Sequence, residues 1–251
     1  MTVNNLMFKY EKSYVLKDIN LEIPEHKILS VVGPNGAGKT TLLELCAGII
    51  PYSSGKIELD NRELKSFTKK ELAQSISFLP QTLNKELSIS VYDLVSYGRF
   101  PYSQGALNSK DKQLVQEAIK SMNLEEYAST NVNELSGGMR QLAYIAMILA
   151  QDTKYVFLDE PTANLDIHNV RLLMKNICRL RDVYSKTVVL VLHDLNCAAF
   201  YSDYICAIKQ GQLMQVKSAR EFMNKENLSQ IYGEEIEVAD YKDTRLALYF
   251  G

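Results

Sequence analysis

The chain has no tryptophan and only three histidines among its 251 residues. Its four cysteines, Cys46, Cys178, Cys197 and Cys206, form no Cys-x-x-Cys pair, so a structural zinc site is not expected. They read as buried free thiols of a reducing compartment. Neither sign of charge dominates: 28 Lys and Arg face 30 Asp and Glu, a formal net charge of −2. That balance gives no bulk attraction to nucleic acid or anionic lipid, and nucleic acid is not expected as a partner. No apolar run reaches the ~18 residues of a bilayer span. The start lacks the basic region and apolar stretch of a secretory signal. The sequence therefore predicts a protein that stays in the cytoplasm unless another protein holds it at a membrane. What is present, 46% hydrophobic and 23% charged residues, is globular material ample for a core.

Residues 1–30 alternate as strands do. Ile19, Leu21 and Ile23 fall on one face, before a turn at Pro24, Glu25, His26 and Lys27. Ile28–Val32 is a short apolar run of the kind buried in parallel sheets. A helix is predicted over 40–50, closed by Pro51. Strand-like pieces follow at 56–59 and Ile76–Leu79. From 83 to 150 the pattern is helical, with Leu114, Val115, Ala118, Ile119 and Met122 at helical spacing. Strong strands at 155–158 and 187–192 flank a helix over 167–182. The tail carries a short helix near 218–231 and alternating pieces at 234–238 and 245–250. Strands alternating with helices predict an α/β fold with a mostly parallel sheet covered on both faces.

Three segments carry chemistry. Gly33, Pro34, Asn35, Gly36, Ala37, Gly38, Lys39 and Thr40 have the spacing of a phosphate-binding loop, between an apolar strand and a helix. The glycines let backbone N–H groups curl around phosphate oxygens, and the helix adds its positive end. Lys39 reaches the β- and γ-phosphates, and the Thr40 hydroxyl is offered to Mg²⁺. In the second segment, the apolar run 155–158 ends in Asp159 and Glu160, at the carboxyl end of a strand where doubly wound sheets bind ligands. Asp159 suits the Mg²⁺ shell; Glu160 suits orienting, or taking a proton from, the water that attacks a γ-phosphate. In the third, Ser136, Gly137 and Gly138 precede a long apolar helix over 139–151. A hydroxyl, bare amides and a helix N-terminus all suit an anion. Since the chain has a complete phosphate loop of its own, this second loop is expected to meet a phosphate supplied by someone else.

In this order the segments resemble the ABC-transporter ATPases over essentially the whole chain. Residues 33–40 match the Walker A motif, 156–160 Walker B and 135–141 the family signature. The resemblance implies further roles, in binding ATP with Mg²⁺. Thr41 joins the phosphate contacts. Gln81 matches the Q-loop glutamine, with a place in the Mg²⁺ shell and in catalysis. Asn164, Leu165 and Asp166 match the D-loop, and His193 matches the switch histidine. Tyr10, flanked by Phe8 and Tyr14, sits where the family stacks an aromatic ring on adenine. Met139 and Leu142 depart from residues frequent in the signature helix, without removing a phosphate contact. The implied fold is the P-loop ABC ATPase fold, with a mostly parallel core sheet, an N-terminal antiparallel β subdomain and a helical subdomain. A core of 1–82 and 152–251 would hold a helical signature subdomain at 83–151.

Tyr97, Gly98, Arg99, Phe100, Pro101 and Tyr102 resemble a segment typical of the iron–siderophore, haem and cobalamin importer ATPases, and the tail looks most like ferric-siderophore members. The resemblance implies a subunit at the cytoplasmic face of the cell membrane, with a second copy of itself and permease subunits as partners. An extracytoplasmic substrate-binding protein would act indirectly. Each ATP would lie between one copy's 33–41, Gln81, Asp159, Glu160 and His193 and the other copy's Ser136, Gly137, Gly138 and Asp166. Exposed aromatics and an arginine at 98–102, beside the Gln81 loop, would receive a short permease helix. The alternatives are a haem or cobalamin importer, or a soluble ATPase without a transport role, such as a cofactor-assembly protein. The absence of a long coiled coil and of a second cassette argues against chromosome, repair and translation members.

Overall fold

The computed structural model describes residues 1–11, 13–82 and 88–249. Residues 83–87 of the expected helical segment and residue 250 of the expected tail strand lie outside them. The chain divides into two compact units, Met1–Phe67 with Thr187–Gly251, and Thr68–Lys186.

The first unit contains an antiparallel sheet in the order Ser13–Glu22, Thr2–Tyr10, Ser54–Leu59, Arg62–Glu63. Val3 pairs with Leu21 and Leu6 with Ile19, and all four are buried. Leu16 is buried as well, an odd number of residues from Ile19. Strict alternation forbids that, but Asp18 takes a φ of 51° and the register shifts, so the strand bulges and re-aims one side chain. In the same unit Ile28–Val32 runs parallel to both Thr187–Val191 and Tyr204–Lys209, and Gln212–Ser218 pairs antiparallel to the latter. Every residue of Ile28–Val32 and Thr187–Val191 is buried, as their continuous apolar runs require.

Two expected helices have different limits. The helix predicted over 40–50 is Lys39–Cys46. Gly48, at φ 69°, turns the chain, and Ile49 emerges 56% exposed, so the helix stops before Pro51 acts. The helix expected near 218–231 is two, Ala219–Phe222 and Lys225–Tyr232. Asn224 breaks it by accepting the Asn227 N–H at 2.9 Å, as an N-cap does. Beyond them Glu237–Tyr241 and Thr244–Leu248 form a hairpin.

In the second unit Ile76–Leu79 runs parallel to Tyr155–Asp159. The Thr153 hydroxyl donates within that pair, to Ser77 Oγ or the Tyr155 carbonyl at 2.9 Å each, so the buried polar groups are satisfied. Helices start on clear caps. Thr68 with Glu71 and Asn108 with Asp111 form reciprocal capping boxes for Lys69–Ser75 and Ser109–Ser121. Val91–Tyr97, Ser109–Ser121 and Ile167–Asp182 pack on the central helix Gly137–Gln151, whose buried face includes Leu142, Ile145 and Leu149. Leu142, the departure noted above, is thus a core residue.

Arg99 is not part of an exposed patch. It is 5% exposed, donates to Asp111 Oδ1 and to the Ala150 carbonyl at 2.9 Å each, and lies 3.9 Å from the Tyr102 ring centroid. Gly98 beside it leaves no room for a side chain, since a Cβ would meet the Met147 carbonyl at 2.2 Å. The segment is therefore bolted to the C-terminal half of the signature helix, with Tyr97 and Phe100, each 56% exposed, left facing solvent.

Candidate functional site

In the first unit, the loop after Ile28–Val32 closes on itself. Gly33 (φ 144°), Gly36 (φ 73°) and Gly38 (φ 101°) occupy backbone conformations that side chains disfavour. Gly33 also passes so close to the neighbouring strand that a Cβ would lie 2.0 Å from the Ile208 carbonyl oxygen. Lys39, 6% exposed, folds its ammonium back to donate to the Gly33 and Pro34 carbonyls at 2.9 and 3.0 Å. A buried cation is thereby held at the centre of a ring of backbone, at the start of a helix, where the amides and the helix dipole favour an anion. Asn35 and Gly36, at the tip, are exposed, and Thr40 is half-buried beside buried Thr41. Tyr10 is 52% exposed and stands edge-on to Phe8, with ring centroids 4.9 Å apart. His193 follows Thr187–Val191 and is exposed. The next residue, Asp194, caps the helix Leu195–Tyr201 by accepting the Asn196 and Cys197 N–H groups at 2.8 and 3.1 Å.

In the second unit, Tyr155–Asp159 delivers Asp159, only 2% exposed, to its carboxyl end, and Glu160 follows at φ 47°. Gln81 donates through Nε2 to Glu160 Oε2 at 2.5 Å, so these two sequence-predicted residues meet. The signature loop meets the D-loop here too. Ser136 caps its helix by accepting the Met139 N–H at 3.3 Å. Asp166 caps Ile167–Asp182 by accepting the Asn169 N–H at 2.8 Å, and Asn169 Nδ2 donates back to Asp166 Oδ2 at 2.8 Å. The Asn169 amide fills the space against Gly138, where a Cβ would come within 2.2 Å of it. Asn169 therefore joins two predicted elements. Sequence reasoning missed it, although its place three residues after an acidic N-cap was a usable signal. The Asn169 backbone N–H is also the main reason the Asp166 carboxyl is held below the usual range.

Ser136, Gly137 and Asp166 are exposed. A Cβ on Gly137 would meet nothing within 4 Å. The loop thus presents a capped helix N-terminus and a carboxylate outward. Among the described residues no group of three or more His, Cys, Asp or Glu side chains is placed to hold a metal. The predicted Mg²⁺ donors (a buried carboxylate, a hydroxyl and an amide) suit an ion that takes the rest of its shell from phosphates and water. Cys46 and Cys206 take no part: burial pushes both thiols up to about 12, which keeps them protonated and unreactive.

A closed phosphate loop, a strand ending in Asp159 and Glu160, and a capped Ser-Gly-Gly helix start define an ATP-binding cassette. The ABC transporter family model matches residues 16–163, and the chain belongs to that family as an ATPase. It is 40% identical over 99% of its length to the petrobactin import ATP-binding protein YclP of Bacillus subtilis (strain 168), covering 98% of that protein. It is 35% identical to the iron(3+)-hydroxamate import ATP-binding protein FhuC of the same organism, over 95% of this chain and 89% of that one. Among solved structures it resembles a metal-chelate type ABC transporter in an inward-facing conformation, with a TM-score of 0.84, 30% identity, and coverage of 99% and 97%. It also resembles a dimeric ATP-binding cassette in a post-hydrolysis state with ADP and Pi, with a TM-score of 0.74, 28% identity, and coverage of 87% and 98%.

Proposed function

We propose that this chain hydrolyses ATP to drive uptake of an iron(3+)–siderophore complex through a separate membrane permease, as a peripheral subunit at the cytoplasmic face. The observation that carries the reading is the contrast between a phosphate loop closed around buried Lys39 and a signature loop, at Ser136 and Gly137, turned outward. Two copies associate head to tail. One copy's 33–41 binds the phosphates, with Tyr10 against adenine, and the other copy's Ser136, Gly137, Gly138 and Asp166 close over the γ-phosphate. Thr40, Gln81 and Asp159 would hold Mg²⁺, which would supply charge neutralisation to the phosphates. Glu160 orients the attacking water and takes its proton, and His193 contacts the γ-phosphate. Gln81 donates to the Glu160 carboxylate, so the loop that carries Gln81 is joined directly to the group that serves the water. Gln81 thereby ties hydrolysis to whatever moves its loop.

The permease docks on exposed Tyr97 and Phe100, and the buried Arg99 fixes them to the signature helix. The division into a core of 1–82 and 152–251 and a signature subdomain of 83–151 accompanies this reading. The names of the relatives support iron-chelate cargo, and a substrate-binding protein outside the membrane would deliver it.

The test is uptake of iron(3+)–siderophore by cells deleted for this chain. Wild-type should restore it and Glu160→Gln should not. Restored haem or cobalamin uptake instead would reassign the cargo. Failure to co-purify with any membrane protein would reassign the chain to a soluble role.

A further inference from the structure

The family model stops at residue 163, so nothing in that match accounts for the tail. The tail is nevertheless tied to the helix that follows His193 and to its cap. Asn196, in the helix just after His193, pairs with Ala247 of the last strand as if it were backbone. Its Oδ1 accepts the Ala247 N–H at 2.7 Å, and its Nδ2 donates to the Ala247 carbonyl at 3.2 Å. Thr244 Oγ1 donates to the Ala199 carbonyl at 3.1 Å, so the strand is fastened to the helix at two points, Asn196 and Ala199. The Tyr249 hydroxyl then donates to Asp194 Oδ1 at 3.3 Å and accepts from Asn196 Nδ2 at 3.3 Å.

A helix of seven residues does not hold itself in water, so Leu195–Tyr201 depends on such attachments. His193 sits exposed just before it, and the chain runs from His193 into the helix through Asp194. Asp194 Oδ1 accepts the two cap N–H groups and the Tyr249 hydroxyl together. Anything that moves the hairpin changes the cap, and with it the direction in which the chain leaves His193.

We propose that the C-terminal hairpin is a latch, and that Tyr249 and Asn196 are positioning residues for His193 in ATP hydrolysis. The inference rests on the reading of His193 as the γ-phosphate contact. It makes the tail part of the rate-determining geometry rather than a support for the fold.

The test measures ATP hydrolysis and nucleotide binding by the full chain carrying Tyr249→Phe, Asn196→Ala, His193→Ala and each pair with His193→Ala. Tyr249→Phe keeps the ring and removes one hydroxyl. It should lower kcat about fivefold, and Asn196→Ala about tenfold, with KM for ATP and the affinity for a fluorescent ATP analogue within about twofold. A purely structural role would instead lower the melting temperature and affinity together. His193→Ala alone should lower kcat at least about a hundredfold, and adding Tyr249→Phe to it should cost nothing more, because coupled residues are not additive. If His193→Ala loses its rate while Tyr249→Phe and Asn196→Ala keep theirs, the latch falls and the site reading stands. Should Tyr249→Phe cost as much with His193 absent, it does not act through His193 and the latch falls. Full turnover by His193→Ala overturns the reading of His193, and the latch with it.

Discussion

The loop at residues 33–40 folds around its own lysine, whereas the loop at 135–138 turns its cap and glycine outward. In the first, a side chain at Gly33 has no room, and Lys39 is spoken for by Gly33 and Pro34. In the second, Gly137 has open space and only Gly138 is packed, against Asn169. One is a socket complete within a chain. The other is a surface that gains meaning only when something arrives. The difference teaches that the two glycine-rich segments use the same physics, exposed amides at a helix start, for opposite purposes.

The largest effects should come from closing the socket. Gly33→Ala forces a Cβ into the Ile208 carbonyl, at a backbone angle alanine disfavours. We expect a loss of about 3 kcal/mol or more in stability, and no ATP binding. Gly137→Ala should by contrast leave stability within about 0.5 kcal/mol. Equal effects in calorimetry would erase the distinction between the loops.

Arg99→Ala should cost about 3–5 kcal/mol, because it strands the Asp111 carboxylate in the core. Phe100→Ala, next to it but exposed, should leave melting and basal hydrolysis nearly unchanged, with hydrolysis within about threefold. It should still weaken permease binding and siderophore-dependent growth. Normal growth would place the docking surface elsewhere.

Chemistry comes next. Glu160→Gln should keep nucleotide binding and lose about a hundredfold or more in single-turnover hydrolysis. A rate near wild-type would give the water to another residue.

These contrasts show what was legible beforehand. The strands Ile28–Val32 and Tyr155–Asp159 were readable because burial on both faces demands unbroken apolar runs. The helix Ile167–Asp182 was readable because Asp166 caps it and its apolar spacing is regular. Tyr204–Lys209 and Gln212–Ser218 went unseen. Their turn is Gln210 and Gly211, both at positive φ, a pairing less conspicuous than Asn-Gly, and Gln212–Ser218 is only half-buried. Arg99 misled because composition marks a basic–aromatic patch without revealing an acidic partner at Asp111, twelve residues away on another helix. Tyr249 was invisible because it acts through one hydroxyl on a distant segment, and the packing of Asn169 against Gly138 was invisible for the same reason, although its pairing with Asp166 was local.

The smallest expected effect concerns the tail. Burial is the main cause that raises the Tyr232 and Tyr249 phenols from 10.0 to about 12. A group raised on folding contributes stability fully present below pH 10, and that contribution is lost as pH rises through about 12. Replacing both tyrosines by phenylalanine should therefore flatten the fall in melting temperature across that window. An unchanged slope would mean the two phenols do not titrate with the fold.

The central claim is that each ATP is shared between two copies, and light scattering on the Glu160→Gln chain tests it most directly. With ATP and Mg²⁺ the mass should double, since a ligand bound at an interface favours the closed pair. Adding Ser136→Arg should return the mass to one chain while ATP affinity stays intact. A mass that ignores nucleotide, or one that doubles just as well with Ser136→Arg, would contradict the account.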